Sequence, residues 1–587
     1  MIVLGINDSH NSSACLYEDG RLVAVINEER LWRVKNWTGF PELAIHECLR
    51  IASRRMEDVD FFAVAGVGGG FPCHSREEII AMYRGGIDSG TKYWMERAKQ
   101  TATKTFYRGP LRELYRSMPM WESRDRNRWR NRVAGLLALG VPESKIILVG
   151  HHVAHASSAY YGWARFDEDV LVLTNDGSGD RICATVNVGR NGKLECLTEI
   201  NDSESIGFIY SMATCLLGMA PLEHEYKVMG MAPYAEQKGA EKVYRDLKAL
   251  FGFDGQNGME WSRRNGCPET YNSYRYLQNL FELKRFDWIC GGLQRFTEEF
   301  VTEWIANCIR ATGIRKIALS GGIFMNVKMN KAILELPEVE EMFVFPSCGD
   351  ETNAIGAAYY VYAQHEDASS MQPLREFYLG PEYHDDQIEQ VVKKYPFKNH
   401  VTFERVEKIE EAVAELLAKG EIVARFKGRE EFGARALGNR SILADASRPE
   451  LVKVINDAIK SRDFWMPFAP SVLDRREQDY FINPKKMPAP YMIMAFDSTD
   501  RVDDFRAACH PYDLTIRPQV VYRDWNQSYY ELLEAFERLT GRGIFLNTSF
   551  NLHGHPMVSH PRDALHVFDE SGLNNLAIGI YLVKKVS

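Results

Sequence analysis

Apolar and polar positions along the chain fall into short runs that predict strands first. Residues 2–7 (IVLGIN), 12–18 (SSACLYE) and 22–29 (LVAVINEE) read as strand, strand, turn, strand, with Asp19-Gly20 at the turn. The same order returns at 169–200: DVLVLTND, then ICATVNV, a turn at Asn191-Gly192, then LECLTEI. Asp-Gly and Asn-Gly are the steps expected where a tight hairpin needs positive φ. A strand triplet used twice, each time followed by helical stretches, predicts an internal duplication.

Two further segments extend this pattern. In IALSGGIFMNVKMN (317–330) an apolar strand runs into Gly321-Gly322 and then a helix, an arrangement that lets a backbone approach a ligand closely. FVFPSCGDETNAIGAAYY (343–360) gives a strand, a short loop carrying Asp350, and a helix of small residues. Duplicated α/β lobes of this type build the nucleotide cleft of the actin-like and sugar-kinase superfamily. Residues 365–375 are polar, contain a proline and predict a linker, so the front domain is set at 1–365. Residues 376–587 predict a second α/β domain, with strands at 421–426 (EIVARF), 492–496 (MIMAF) and 543–547 (GIFLN) and an amphipathic helix at 408–420.

Composition narrows the functional classes. A chain of 587 residues has room for two to four domains, and 26% charged residues with a net charge of −9 argue against wholesale nucleic-acid binding. One local exception runs from Arg97 to Arg132, where eleven basic residues face three acidic ones and Phe106, Tyr107, Tyr115, Trp121 and Trp129 are interleaved. A solvated helical insertion over 70–135 is the plainer reading, with phosphate or RNA contact as its rival, and such an insertion is also a candidate homodimer surface. The eleven cysteines are scattered without a CxxC pair, which predicts reduced thiols in the cytoplasm. No apolar run reaches membrane-spanning length, and MIVLGIND enters a strand at once where a signal peptide would be charged and then apolar.

The chemistry-bearing residues form three groups. In GHHVAHASSAYY, His151 and His155 stand four apart, on one face of a helix. A zinc-protease motif needs glutamate straight after the first histidine, and His152 occupies that place. With Asp176 and Asp350 the histidines supply two nitrogens and two oxygens, a set that suits iron(II), manganese or zinc better than calcium or magnesium. The second group is a nucleotide cleft. DGSGD (176–180), through Gly177 and Gly179, can turn backbone amides toward phosphate, while Gly321, Gly322 and Asn326 border base and ribose. The third group lies in the rear domain: Lys427, Arg429, Arg435, Arg440, Lys460, Arg462 and Arg517, with LNTSFN at 546–551. Guanidinium forks hold phosphate oxygens bidentately, so this group predicts a site for a highly anionic small molecule, a structural ion-pair network being the rival.

With these residues in place the chain resembles a known family. GHHVAHASSAYY, NDGSGD, YKVMGMAPY, SGGIFMN, REEFGARALGNRSILAD, WMPFAPS and LNTSFN follow one another in the order and spacing of the NodU/CmcH-type O-carbamoyltransferases, which modify nodulation factors, cephalosporins, tobramycin-type aminoglycosides and other natural products. The resemblance implies an actin-like front domain and a YrdC-like rear domain. It implies that the rear domain makes carbamoyl adenylate from carbamoyl phosphate and ATP, with Mg2+ accompanying ATP, and that the front domain passes the carbamoyl group to a hydroxyl of a small molecule. Carried over by position, an iron-type ion falls on His151, His155, Asp176 and Asp350. The adenylate-forming cluster falls on Arg429, Arg435, Arg440, Lys460, Arg462, Arg517, Asn547 and Ser549. Lys227 and Gly230 of YKVMGMAPY fall in the nucleotide-binding set, and His10 falls near the transfer site. The chain departs from the family at Ala434, Met466 and His555, and Met466 leaves one phosphate contact without its cation. Two alternatives stand beside this reading: a tRNA threonylcarbamoyl-type modification enzyme, favoured by the basic stretch, and an actin-like nucleotide switch.

Overall fold

A computed structural model describes residues 1–68, 76–84 and 129–586, so most of the insertion expected at 70–135 lies outside the described residues. Two sheets of like topology form the front of the molecule. In the first, β1 (Ile2–Asn7), β2 (Ser13–Glu18), β3 (Arg21–Asn27), β4 (Phe61–Ala65) and β5 (Ile146–Val149) take the order β3-β2-β1-β4-β5. In the second, β6 (Val170–Gly179), β7 (Ile182–Arg190) and β8 (Lys193–Asn201) are joined by β11 (Lys316–Ser320) and β12 (Glu341–Val344) in the order β8-β7-β6-β11-β12. Between these two groups in the chain, β9 (Phe251–Asp254) and β10 (Glu260–Arg263) make a separate hairpin. Each sheet starts with an antiparallel triplet and continues with two parallel strands, which is the duplicated actin-like architecture. Both tight turns have the backbone the sequence asks for: φ is 46° at Asp19 and 79° at Gly20, 49° at Asn191 and 74° at Gly192.

The helix His151–Trp163 follows β5 yet packs on β6 and β11 of the other sheet, while the helix Asn353–His365 follows β12 and packs on β1, β2 and β4. The exchange draws the two helices together. A Cβ on Gly356 would lie 1.8 Å from the Ala154 carbonyl oxygen, and one on Gly5 would lie 2.0 Å from the Ala354 oxygen. The small-residue run NAIGAAYY is thus a requirement of close packing, and it brings the start of each helix to the cleft between the lobes.

The rear sheet has eight strands: β13 (Val401–Arg405), β14 (Val423–Phe426), β15 (Arg440–Ala444), β16 (Ala469–Leu473), β19 (Gln519–Val521), β20 (Ile544–Ser549), β21 (Asn575–Ile578) and β22 (Tyr581–Lys585), ordered β13-β22-β21-β14-β15-β20-β16-β19. A short ladder, β17 (Phe481–Ile482) with β18 (Asp497–Ser498), stands apart from it. The predicted helix at 408–420 is present as Ile409–Ala418. The strand predicted at 492–496 is not formed. Pro488 and Pro490 precede it, Met492 has φ 56°, and only Phe496 makes an isolated bridge, to Ile516.

The stretch expected to be a linker is docked. Gln372 N donates to Gly20 O at 2.8 Å and Leu374 N to Gly162 O at 2.8 Å. Beyond it, Phe345, Phe377 and Phe432 form an edge-to-face series at 6.1 and 5.4 Å, each such pair contributing about 0.5–1.5 kcal/mol beyond burial. Front and rear sheets therefore share one continuous apolar core.

Candidate active site

A cavity of about 970 Å³ runs between the front lobes and the rear sheet. At its front end stand the four residues proposed as metal ligands. His151 is the first residue of its helix, and its backbone N–H donates to Asp180 Oδ2 at 2.8 Å, which fixes the helix start. His155 lies one turn further on. Asp176 sits near the end of β6, and Asp350 opens the turn before the helix Asn353–His365. His151 Nε2 is 3.4 Å from Asp176 Oδ2 and 3.4 Å from Asp350 Oδ1, and His155 Nε2 is 3.5 Å from Asp350 Oδ1. One donor atom from each of the four lies within 4.8 Å of all the others. Ligands bonded at about 2.0–2.2 Å to a common ion stand roughly 3–4 Å apart, so the spacing fits a shared divalent cation.

The surroundings support that fit. His151 Nε2 is buried without a hydrogen-bond partner. The other oxygen of Asp176 accepts from Gly322 N at 2.9 Å, and the other nitrogen of His155 meets Ser320 Oγ at 3.1 Å, which turns Oδ2 and Nε2 toward the common point. Burial opposes a proton on His151, but the carboxylates of Asp350 and Asp176 outweigh it and push its pKa up to about 9. That excess of negative field is what a bound cation offsets. His152 is a different case: its ring is held between Thr174 Oγ1 at 2.7 Å and Ile182 O at 2.9 Å, and burial, with its two histidine neighbours, drives its pKa well below the ordinary value. It is a buttress beneath the quartet.

The glycines expected to cradle a nucleotide act in part on this quartet. The DGSG segment continues β6 and is not an open loop; the reversal falls at Asp180 and Arg181, with φ 53° and 71°. A Cβ on Gly179 would lie 2.0 Å from the His151 ring, and one on Gly321 would lie 2.3 Å from Asn175 O. Gly179→Ala is therefore expected to tilt His151 away and weaken metal retention about tenfold or more, measured as bound metal after dialysis against a chelator. Unchanged metal content would refute the packing argument. Gly177, Gly322 and Asn326 line the cavity, and Asn326 also caps the helix Val327–Glu335 through Met329 N at 3.1 Å. His10, in the turn between β1 and β2, lines the same end.

At the rear end Arg435, Lys460, Arg462 and Arg517 line the cavity together with Ser549. Arg435 lies in the β14–β15 loop, Lys460 ends a π-helical turn (Asn456–Lys460), Arg517 precedes β19 and Ser549 ends β20. Among the described residues no carboxylate pairs with any of the four cations. Lys460 Nζ meets only oxygens of Ser549 and Asn551, and Arg462 makes weak bonds of 3.3 and 3.2 Å to Pro467 O and Thr548 Oγ1. Burial lowers all four pKa values, Arg462 to about 10, and the neighbouring Arg435 and Arg462 lower Arg517 further. Lys460 is buried and Arg435, Arg462 and Arg517 are half-buried, and the four crowd together without an ion pair among the described residues, an arrangement that a bound anion would offset.

The other cations of the predicted cluster point elsewhere. Arg440 is fully buried, donates to Gly428 O and Pro381 O at 3.1 Å each, and lies 3.8 Å over the Phe426 ring. Arg429 donates to Val23 O and Leu379 O at 2.8 and 2.7 Å, and Lys427 pairs with Glu410 at 2.5 Å. These three shape the 427–439 loop and its joint with β3. Asn547 is buried and donates to Ala436 O at 3.1 Å, so it supports the loop from beneath. Gly321 and His155 lie behind the cavity wall. Lys227 pairs with Asp463 at 3.0 Å and Gly230 O meets His510 Nε2 at 2.8 Å, which places both at the front–rear junction. Tyr226, within electrostatic reach of Arg435 and Arg462, lines the middle of the cavity and was not singled out by the motifs, although YKVMGMAPY contains it. Met466 and His555 both face the cavity, and Ala434 N donates to Ser347 Oγ at 2.9 Å.

A two-lobed front domain with a clustered His/Asp quartet is joined by one cavity to an arginine-lined rear sheet, so two chemically distinct clusters share one α/β protein. Residues 2–359 match the family described as Carbamoyltransferase N-terminus and residues 414–585 match Carbamoyltransferase C-terminus. The chain belongs to the carbamoyltransferase family and is a transferase. Nodulation protein NolNO of Sinorhizobium fredii is 30% identical over 599 residues, covering 98% of this chain and 79% of that protein. The uncharacterized protein MJ1058 of Methanocaldococcus jannaschii is 34% identical over 455 residues, covering 75% of this chain and 74% of its own. Among solved structures, full-length HypF in its phosphate- and nucleotide-bound form aligns with a TM-score of 0.32 at 12% identity, over 63% of this chain and 56% of that one. No helix among the described residues is long and apolar enough to cross a membrane.

Proposed function

We propose that the protein is an ATP-dependent O-carbamoyltransferase that works in two steps at the two ends of its cavity. The observation that carries this reading is the cavity itself: His151, Asp176 and Asp350 of the metal-type quartet and the four cations Arg435, Lys460, Arg462 and Arg517 line one space, with His155 directly behind its wall. In the rear, with its YrdC-like role, Arg435, Lys460, Arg462 and Arg517 bind the phosphate oxygens of carbamoyl phosphate and Mg-ATP. A water molecule hydrolyses carbamoyl phosphate, breaking the acyl-phosphate linkage to give carbamate and inorganic phosphate, with one proton released. A carbamate oxygen then attacks the α-phosphorus, the α–β bridging bond breaks and pyrophosphate leaves, the cations neutralising the charge that builds on it.

The carbamoyl adenylate crosses to the front without meeting bulk water, in which it would hydrolyse. His151, His155, Asp176 and Asp350 would hold a divalent transition ion, iron(II) by preference, which would supply Lewis acidity toward the adenylate phosphate. The acceptor hydroxyl attacks the carbamoyl carbon, the bond to the AMP oxygen breaks, and His10 takes the hydroxyl proton. Burial lowers the pKa of His10 despite the raising influence of Asp350 and Asp176, so its ring is neutral and able to accept. The acceptor is a hydroxylated small molecule.

Incubation with ATP and carbamoyl phosphate should release AMP and pyrophosphate; release of ADP, or no nucleotide turnover, rules the scheme out. A second expectation concerns His10. His10→Asn should retain pyrophosphate release and lose carbamoyl transfer by about a hundredfold or more. Because the folded pKa is depressed, wild-type transfer should hold level as pH falls toward about 6.5, the ordinary imidazole value, and decline only below it. A decline that begins above that value removes His10 from the role of base.

A further inference from the structure

The tip of the rear 427–439 loop is gripped from two sides by the front domain. From the first lobe, the buried Arg30 on the short helix Glu28–Trp32 donates to Gly433 O at 2.7 Å and pairs with Glu430 at 2.5 Å. Glu430 in turn accepts from Ser559 Oγ, so the pair is locked inside the junction. From the second lobe, Ser347 accepts from Ala434 N at 2.9 Å and donates to Glu351 Oε1 at 2.5 Å. Ser347 is held in the left-handed region with φ 54°, and Glu351 directly follows Asp350 in the chain. A Cβ on Gly433 would lie 2.5 Å from Ser347 Cβ, and φ there is 92°, so the tip seats on the serine with no space to spare. Directly after Ala434 stands Arg435, one of the four cavity cations, and its Nε is buried without a partner.

We infer that Arg30 and Ser347 are positioning residues for Arg435: the two front lobes together set the rear anion site, so that the anion centre is complete only when both lobes of the transfer domain are closed on the loop. A guanidinium at the end of a free loop samples many directions, and fixing Gly433 O and Ala434 N removes that freedom at the residue before it. The 347–351 segment carries Asp350 at one end and Ser347 at the other, so the same turn shapes both centres.

The inference rests on the two-step reading for its catalytic consequence, and its test is chosen to separate the two. Inorganic pyrophosphate binding is measured by calorimetry for the wild type, Ser347→Ala, Ser347→Thr and Arg30→Lys, alongside carbamoyl-phosphate-dependent AMP release and backbone amide exchange over 432–436. Arg30→Lys keeps a positive charge against Glu430 and gives up the second bond to Gly433, so it guards against simple misfolding. Ser347→Ala and Arg30→Lys should weaken pyrophosphate binding about tenfold, raise the KM for carbamoyl phosphate by a similar factor and speed exchange at the tip, with metal content unchanged. Ser347→Thr keeps the hydroxyl but adds a methyl to a Cβ that already abuts Gly433 in the left-handed region, so it should loosen the tip and weaken pyrophosphate binding as Ser347→Ala does. Pyrophosphate affinity within about twofold of wild type in both Ser347→Ala and Arg30→Lys, whatever their melting temperatures, overturns the inference. Absence of AMP release from the wild type counts against the two-step reading alone, because pyrophosphate affinity and amide exchange still report on the grip.

Discussion

Asp350→Ala is expected to abolish carbamoyl transfer, by about a thousandfold or more, while pyrophosphate release from ATP and carbamoyl phosphate continues. Asp350 Oδ1 is the one atom of the quartet that approaches both imidazoles, at 3.4 and 3.5 Å. Its loss leaves His151 with Asp176 alone and His155 with no carboxylate, and removing one first ligand and the charge it brings weakens a site of this kind far more than removing a supporting hydrogen bond. The rear cations make no ion pair with Asp350, so the first half-reaction has no reason to fall. The readouts are bound metal per chain, carbamoylated product by mass shift, and pyrophosphate. Loss of pyrophosphate release together with transfer would mean that the two centres are one. Retained transfer with metal lost would remove the ion from the mechanism. His155→Ala should behave alike, with some loss of stability in addition, because that imidazole is fully buried against Ser320 and Asn353.

What the sequence made legible was local. The hairpins at Asp19-Gly20 and Asn191-Gly192 could be read because one dipeptide sets the turn, and the His151/His155 pair because helical spacing alone puts two side chains on one face. Topology followed from repetition: a triplet seen twice implied two lobes, and the strand orders match. The failures lie where the outcome depends on distant partners. Nothing local distinguishes Arg440 from Arg435 in ARALGNR, yet one is absorbed by the carbonyls of Gly428 and Pro381 while the other faces the cavity. MIMAF is apolar enough for a strand, but the prolines before it and φ 56° at Met492 prevent one. The polar 365–375 stretch looked like a free connection because its hydrogen bonds are made by backbone groups of Gly20 and Gly162, which leave no trace in side-chain pattern. The grip on Gly433 and Ala434 was invisible for the same reason: it joins backbone groups to side chains 403 and 87 residues away.

Arg517→Met should cost about a thousandfold or more in AMP release, and the same variant should melt at a higher temperature than the wild type in anion-free buffer. The first effect follows from charge. Arg517 is one of four cations around a space meant for phosphate groups, and loss of a guanidinium that stabilises a phosphoryl-transfer transition state typically costs about 10³–10⁵ in rate. The second follows from the same geometry with the opposite sign. Burial, and then Arg435 and Arg462, hold the Arg517 pKa well below its ordinary value in the folded chain. A base whose folded pKa is depressed binds its proton more weakly folded than unfolded, so its charge opposes folding at every pH below the depressed value, and the penalty is relieved only as pH rises through the interval between the two. Methionine fills much of the volume and removes the charge, as when buried ionic groups are exchanged for apolar ones of similar size. Pyrophosphate supplies the missing counter-charge, so it should raise the melting temperature of the wild type markedly and that of the variant little. A variant that melts lower than wild type in anion-free buffer and still responds to pyrophosphate would show that Arg517 is a structural cation, and the anion site would then have to be built from the other three alone.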